Sequence, residues 1–158
     1  MRYIFPLLLS IALSPLGWSA DFQKGLTATQ NGDFATALRE WTPLAEQGVA
    51  NAQFHTGLMY YKGDGVPQDY KTALKWYTQA AEQGYANAQY HLGVMYYAGY
   101  GVLKDDVYAH MWFNIAGSNG HEKASENRNK VAETMTPEQI AEAQKLAREC
   151  VAKNYKGC

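Results

Sequence analysis

The chain has 158 residues, 47% of them hydrophobic and 18% charged, with a formal net charge of −1. That length supports one domain with a continuous core. The balance carries no basic excess or basic stripe, which argues against a nucleic-acid surface. Its two cysteines are too few for a structural zinc site.

Residues 1–20 read as a secretory signal. Met1-Arg2-Tyr3 carries one positive charge, and residues 4–13 are apolar apart from Pro6 and Ser10. Ser14-Pro15 breaks that run, and Gly17-Trp18-Ser19-Ala20 supplies small residues for cleavage after Ser19 or Ala20. The run is too short to span a bilayer comfortably, and no cysteine follows it as a site for a lipid anchor. The expectation is an exported protein, periplasmic or secreted, with no membrane span once the signal is cleaved.

The rest of the chain is organised by a repeat. Residues 52–87 and 88–123 are identical at fifteen of 36 aligned positions. Residues 33–51 match residues 69–87 at eleven of nineteen positions, which adds an earlier unit. The units are expected at about residues 21–49, 50–85 and 86–120. A fixed period of this size marks an array in which each unit buries its face against the next.

Each unit reads as two antiparallel helices. In the second unit the first helix is expected at about residues 51–62. Gly63-x-Gly65 ends it with residues suited to positive φ, and Pro67 marks the turn. Asp69 is a fitting N-cap, as are Asp33 and Asp105 in the other units. The second helix follows at about residues 70–83, with Ala73, Trp76, Tyr77, Ala80 and Ala81 at helical spacing. Small Ala and Gly opposite bulky Trp and Tyr permit close helix–helix contact. The first unit is shorter, with only Gln30-Asn31-Gly32 at its turn.

Beyond His121 the repeat fades. Residues 122–135 read as one more helix. Thr136-Pro137-Glu138-Gln139 is a strong helix start: an N-cap, a proline at the first position and a capping-box glutamine. Ile140, Ala143, Leu146, Ala147 and Cys150 form its apolar stripe, so residues 121–158 are expected to cap the array. Cys150 and Cys158 can pair in an exported chain, or the tail can fray.

The pattern Ala52-Gln53-Phe54-x-x-Gly57-x-Met59-Tyr60-x-x-Gly63-x-Gly65-Val66-x-x-Asp69, continued by Ala73, Trp76-Tyr77, Ala80-Ala81 and Gly84, resembles the Sel1-like repeat (SLR) family. That family is a branch of the tetratricopeptide-like α/α solenoids with a longer turn between the two helices. The resemblance covers about residues 22–120. It implies an all-α fold: a right-handed α/α solenoid of antiparallel helix pairs closed by a capping helix. It also implies a role in binding proteins, since family members serve as adaptors in signalling, secretion, envelope biology and host interaction. A cysteine-rich branch, with a disulfide in each repeat, is linked to β-lactam binding; the repeat cysteines of that branch are missing here.

No catalytic constellation emerges. His55 and His91 occupy one repeat position, which favours a structural or surface role over a metal or acid–base pair. His121-Glu122 lacks the second histidine of a zinc-protease helix, and the Gly-x-Gly turns lack the Lys-Ser/Thr of a phosphate loop. No cofactor is expected. Binding is the better lead. In tetratricopeptide-like arrays the first helices line the concave face. Alignment on Gly25, Gly57 and Gly93 places Phe22, Leu26 and Thr29; Asn51, Phe54, Leu58, Tyr61 and Lys62; and Asn87, Tyr90, Val94 and Tyr97 outward on that face. The partner-binding candidates are Phe22, Leu26, Phe54, Leu58, Tyr61, Lys62, Tyr90, Val94 and Tyr97. Two readings stand: a groove for a peptide or protein, or side chains that fill the interior of a tight superhelix. The functional expectation is a non-catalytic interaction module of the bacterial cell envelope. Two other classes are a cell-wall enzyme or small-ligand binder (for a β-lactam or peptidoglycan fragment) and a spacer with a self-association face.

Overall fold

The structure, a computed structural model, describes residues 21–158. The expected signal segment lies outside the described residues. The helices run α1 (Phe22–Gln30), α2 (Phe34–Glu46), α3 (Ala50–Lys62), α4 (Tyr70–Ala81), α5 (Ala86–Ala98), α6 (Asp106–Ser118), α7 (Ala124–Ala132) and α8 (Pro137–Ala152), with no strand among the described residues. Each of α1 to α6 packs on its successor, and α8 turns back onto α6.

The second helix of each pair starts on an aspartate. Asp33 accepts from the Thr36 N–H, Asp69 from those of Lys71 and Thr72, and Asp105 from that of Tyr108. Each cap stabilises its helix by about 1 kcal/mol. The first helices α3 and α5 end on Gly63 and Gly99 in the left-handed region, φ 78° and 73°. Two residues on, Gly65 and Gly101 serve the neighbouring unit. A Cβ at Gly65 would lie 2.9 Å from the Phe34 Cβ, and one at Gly101 would lie 2.7 Å from the Tyr70 backbone. The Gly-x-Gly turn therefore closes its own hairpin and seats against the start of the preceding unit's second helix.

Ring contacts fix the direction of the pairs. Phe54 meets Tyr77, while Tyr61, seven residues further along α3, meets Tyr70, seven residues earlier in α4. The helices are antiparallel. Between them a glycine of the first helix receives a ring of the second. A Cβ at Gly25, Gly57 or Gly93 would stand 2.3, 2.9 or 2.6 Å from Trp41, Tyr77 or Phe113, respectively. These glycines are required by close approach, not by backbone conformation.

Consecutive units are joined by a repeated amide staple. Gln53 Nε2 donates to the Ala45 carbonyl and Gln89 Nε2 to the Ala81 carbonyl, each at 3.1 Å. Gln83 and Asn119 in turn donate to the Gln53 and Gln89 side-chain oxygens, each at 2.8 Å. Buried amides satisfied in this way fix the register of one unit on the next.

The helix expected to start at Thr136 is α8. The Thr136–Gln139 capping box is present, and Ala143, Ala147 and Cys150 of α8 are buried. α7 is shorter than the expected residues 122–135. Cys150 and Cys158 form a disulfide with a Cα–Cα distance of 5.5 Å. The tail it closes folds back over the array. The Tyr155 ring lies 3.3 Å from where a Gly84 Cβ would stand, its hydroxyl donates to Asn119 Oδ1 at 3.2 Å, and the Gly157 N–H donates to Glu82 at 3.1 Å.

Candidate functional site

The side of the molecule built from α1, α3, α5 and α7 carries three hollows in a row. The first, about 340 Å³, lies between α1 and α3, where Thr29, His55, Leu58 and Lys62 meet. The second, about 570 Å³, is bounded by Phe54 of α3, by Asn87, Tyr90 and His91 of α5, and by residues 120–123 leading into α7. The third, about 290 Å³, lies between α5 and α7, with Val94 and Tyr97 facing Asn127 and Lys130.

The predicted residues divide among these places. Leu58 and Lys62 line the first hollow, Phe54 and Tyr90 the second, and Tyr90, Val94 and Tyr97 the third. Tyr97 is 47% exposed, with the Lys104 ammonium 5.3 Å from its ring. Phe54 is corrected by the structure. It does not point outward but is 8% exposed, and its ring lies 5.4 Å from Tyr85 and 5.5 Å from His91. It still borders the second hollow. Tyr61 is likewise half-buried, within 5.4 Å of Tyr70 and 5.7 Å of His91. Phe22 and Leu26 pack on the first-unit core, Phe22 at 5.8 Å from Trp41.

The histidines are explained by packing. His55 packs at a tilt against Trp41 at 4.7 Å, and His91 stacks on Tyr77 at 4.9 Å, each reaching the second helix of the preceding pair. Burial lowers both pKa values. That of His91 falls to about 4, with the charges of His121 and Lys62 acting the same way. Both rings are therefore neutral at pH 7. His91 Nδ1 and His121 Nδ1 are shielded from water and have no partner in the protein, so neither is oriented through that atom as a catalytic base would be. No group of three or more His, Cys, Asp or Glu among the described residues is placed to hold a metal ion. No helix among them is long and apolar enough to cross a membrane.

Sequence reasoning missed His121, Glu122 and Lys123, which line the largest of these hollows. The signal was available in the repeat alignment, where the same places hold Tyr85, Ala86 and Asn87.

Comparison with known proteins agrees with this architecture. The Sel1 repeat family model matches residues 50–85 and 86–121. The match leaves the first helix pair outside. The fold is similar to that of c5321, a protective antigen of uropathogenic Escherichia coli displaying an SLR fold, with a TM-score of 0.77 and 31% identity over 83% of this chain and 30% of that one. It is also similar to a Sel1 repeat protein from Oxalobacter formigenes, TM-score 0.67, 32% identity over 70% of this chain and 46% of that one. Helicobacter pylori cysteine rich protein B aligns with a TM-score of 0.59 at 25% identity, over 65% of this chain and 78% of that one. The chain thus spans less than half the length of the first two. No curated protein sequence matches it. With two tandem Sel1 repeats set in an all-α solenoid, the chain belongs to the Sel1-like repeat family.

Proposed function

We propose that this protein is a non-catalytic adaptor of the bacterial cell envelope, periplasmic or secreted, that binds a protein partner along the face formed by α1, α3, α5 and α7. Sel1 repeat proteins are in general protein-interaction modules and typically non-catalytic. The observation that carries the finer reading is the set of three hollows along successive first helices, the second and third of which share a wall. Tyr90 borders both the second and the third. A row of that kind suits an extended segment, whose side chains enter successive hollows while its backbone crosses the helices. The export part of the proposal rests on residues 1–20 and is tested by cell fractionation.

Site-specific photo-crosslinking tests the binding face. A photoreactive residue replaces Leu58, Val94 or Tyr97 in one set, and exposed Lys71 or Lys75 of α4 in another. The reading expects partner adducts from the first set and none from the second. Adducts confined to α4 overturn it. Phe54 and Tyr61 are unsuitable positions, because changing them disturbs packing between units. A second reading, a small cell-wall ligand such as a β-lactam or peptidoglycan fragment, draws support from the volume of the second hollow, which lies in the usual range for such sites. Thermal shift with penicillins and muropeptides tests it, and no shift at millimolar ligand removes it.

A further inference from the structure

The C-terminal tail seats three consecutive residues on the junction between the second and third helix pairs. The Tyr155 ring lies against Gly84, 3.3 Å from where a Cβ would stand, and its hydroxyl donates to Asn119 Oδ1 at 3.2 Å. Lys156 Nζ is 3.9 Å from Glu82 Oε2, and the Gly157 N–H donates to Glu82 Oε1 at 3.1 Å. The receptor for the tail is therefore a carboxylate and a bare glycine from one pair and a side-chain amide from the next.

The same receptor recurs 36 residues earlier. Ala45-Glu46-Gln47-Gly48 repeats Ala81-Glu82-Gln83-Gly84, and Gln83 takes the position of Asn119. The two amides do the same work: Asn119 Nδ2 donates to Gln89 Oε1 and Gln83 Nε2 to Gln53 Oε1, each at 2.8 Å. Gln83 Nε2 also donates to the Gly48 carbonyl at 3.0 Å, which leaves Oε1 as the group to accept, as Asn119 Oδ1 accepts from Tyr155. At this first junction nothing is seated. No atom of another segment comes within 4 Å of a Cβ built at Gly48. Glu46, Gly48 and Gln83 are exposed, and Glu46 has no ion pair among the described residues.

The turn itself accounts for Gly48 and Gly84, with φ 91° and 80°. It does not account for Glu46. A carboxylate at the C-terminal end of a helix meets the partial negative charge of the unsatisfied carbonyls. Glu46 is the last residue of α2, whose last turn holds no basic residue. In the next copy Lys156 and the Gly157 N–H answer the charge of Glu82, while the third copy has Ser118 there and no charge to answer. Only the first copy keeps the carboxylate without its cation. The likeness ends at Gly157, because Met111, beside Cys158, becomes Lys75 one unit earlier. The occupant it specifies is thus short.

We infer that Glu46, Gly48 and Gln83 form a docking site for a partner protein's segment in which a tyrosine is followed by a lysine. The ring lies on Gly48, the hydroxyl donates to Gln83 Oε1, and the ammonium pairs with Glu46. The tail of a second copy is a poorer occupant, since it is held by its own disulfide and its own Glu82. This site is at the turn from α2 into α3 and does not depend on the reading of the face formed by α1, α3, α5 and α7.

The test is an NMR titration of the ¹⁵N-labelled, disulfide-bonded chain with acetyl-Asn-Tyr-Lys-Gly-amide, the sequence of residues 154–157. Peptides with glutamate for the lysine, or alanine for the tyrosine, serve as controls. The first peptide is expected to shift the Glu46, Gly48 and Gln83 amides, with affinity at least about tenfold above either control. Glu46→Gln is expected to erase the preference for lysine over glutamate. In Tyr155→Ala/Lys156→Ala, which vacates the second junction, the peptide is expected to shift Gly84 and Asn119 as well. Thermal unfolding checks both variants, and the wild-type and Glu46→Gln titrations decide the assignment if the tail variant unfolds. Equal shifts from the controls, an undiminished preference in Glu46→Gln, or no shifts at millimolar peptide overturn it. Shifts in the tail variant confined to Gly84 and Asn119 overturn the equivalence of the two junctions, and the assignment with it. Gly48 shifts that grow with protein concentration alone, and vanish in the tail variant, replace the partner protein with a second copy's tail.

Discussion

Lowering the pH should destabilise this fold through His91. Its ring stacks on Tyr77 at 4.9 Å and meets Phe54, Tyr61 and Tyr90 within 5.7 Å, so a charged imidazolium there loses most of its hydration. Burial sets the folded pKa at about 4, against 6.5 for the free side chain, and the nearby Lys62 and His121 push it the same way. Because the folded value is depressed, the unfolded chain binds the extra proton first. The stabilising difference is complete above about pH 6.5, shrinks as pH falls toward 4, and is gone below that. The whole interval corresponds to about 3 kcal/mol, of which about 2 kcal/mol is lost between pH 7 and pH 5. The carboxylates with shifted values, among them Asp33 and Asp69, are displaced downward and stay ionised across that window. His55, His110 and His121 are also lowered by burial and add slope of the same sign. The assay is therefore a difference: urea unfolding at pH 7 and pH 5 for the wild-type chain and for His91→Phe, which keeps a ring on Tyr77 and removes the proton. The variant should lose about 2 kcal/mol less than wild type between the two pH values. Parallel losses in the two proteins would refute the reasoning.

Gly93→Ala puts a methyl group 2.6 Å from the Phe113 ring and should cost about 1–3 kcal/mol in chemical denaturation. An unchanged midpoint would show that the helices separate freely. Reducing the Cys150–Cys158 disulfide, which closes a loop of sequence separation 8, should lower stability by about 2.5 kcal/mol. Denaturation with and without a phosphine reductant measures this, and coincident curves would count against a contribution from the tail. Glu40→Ala should loosen α1, since Glu40 pairs with Lys24 at 2.7 Å and accepts from the Asp21 N–H at 3.2 Å. Hydrogen exchange should quicken in α1 while α5 stays protected, and uniform protection would contradict the role given to this contact.

Much of this was legible because the repeat reports helix, cap and turn together. Asp33, Asp69 and Asp105 cap as their sequence position implies, and Gly63 and Gly99 end helices as left-handed glycines. Phe54 was not legible as a core residue. In a solenoid the first helix of a pair is covered on both flanks by neighbouring units, so apolar spacing does not separate an inner seam from an open groove. The α7 limits were also missed, because its stretch has few apolar residues and no side-chain cap at its start. The return of Tyr155 onto Gly84 is a contact across 71 positions, for which no local pattern exists.

The departures from the repeat fall into two physical kinds. Trp76 packs on the core of the preceding unit, and Trp112 does the same one unit later. The corresponding residue of the first pair is Glu40, held by Lys24 at 2.7 Å. A buried carboxylate held by an ion pair there takes the place of an indole in the later units. His121 is a departure of another kind. Its side chain still has Tyr90 beneath it and α7 beside it, as Tyr85 has Phe54 and α5. An interior environment with an interior packing partner would retain the larger ring, whose hydroxyl has an established partner in the middle copy. The histidine instead has an Nδ1 that is shielded from water and without a partner in the protein, which weighs against stability. The three side chains that change together at this junction, His121, Glu122 and Lys123, all line the second hollow, so the departure from the middle copy is concentrated at one place on the surface.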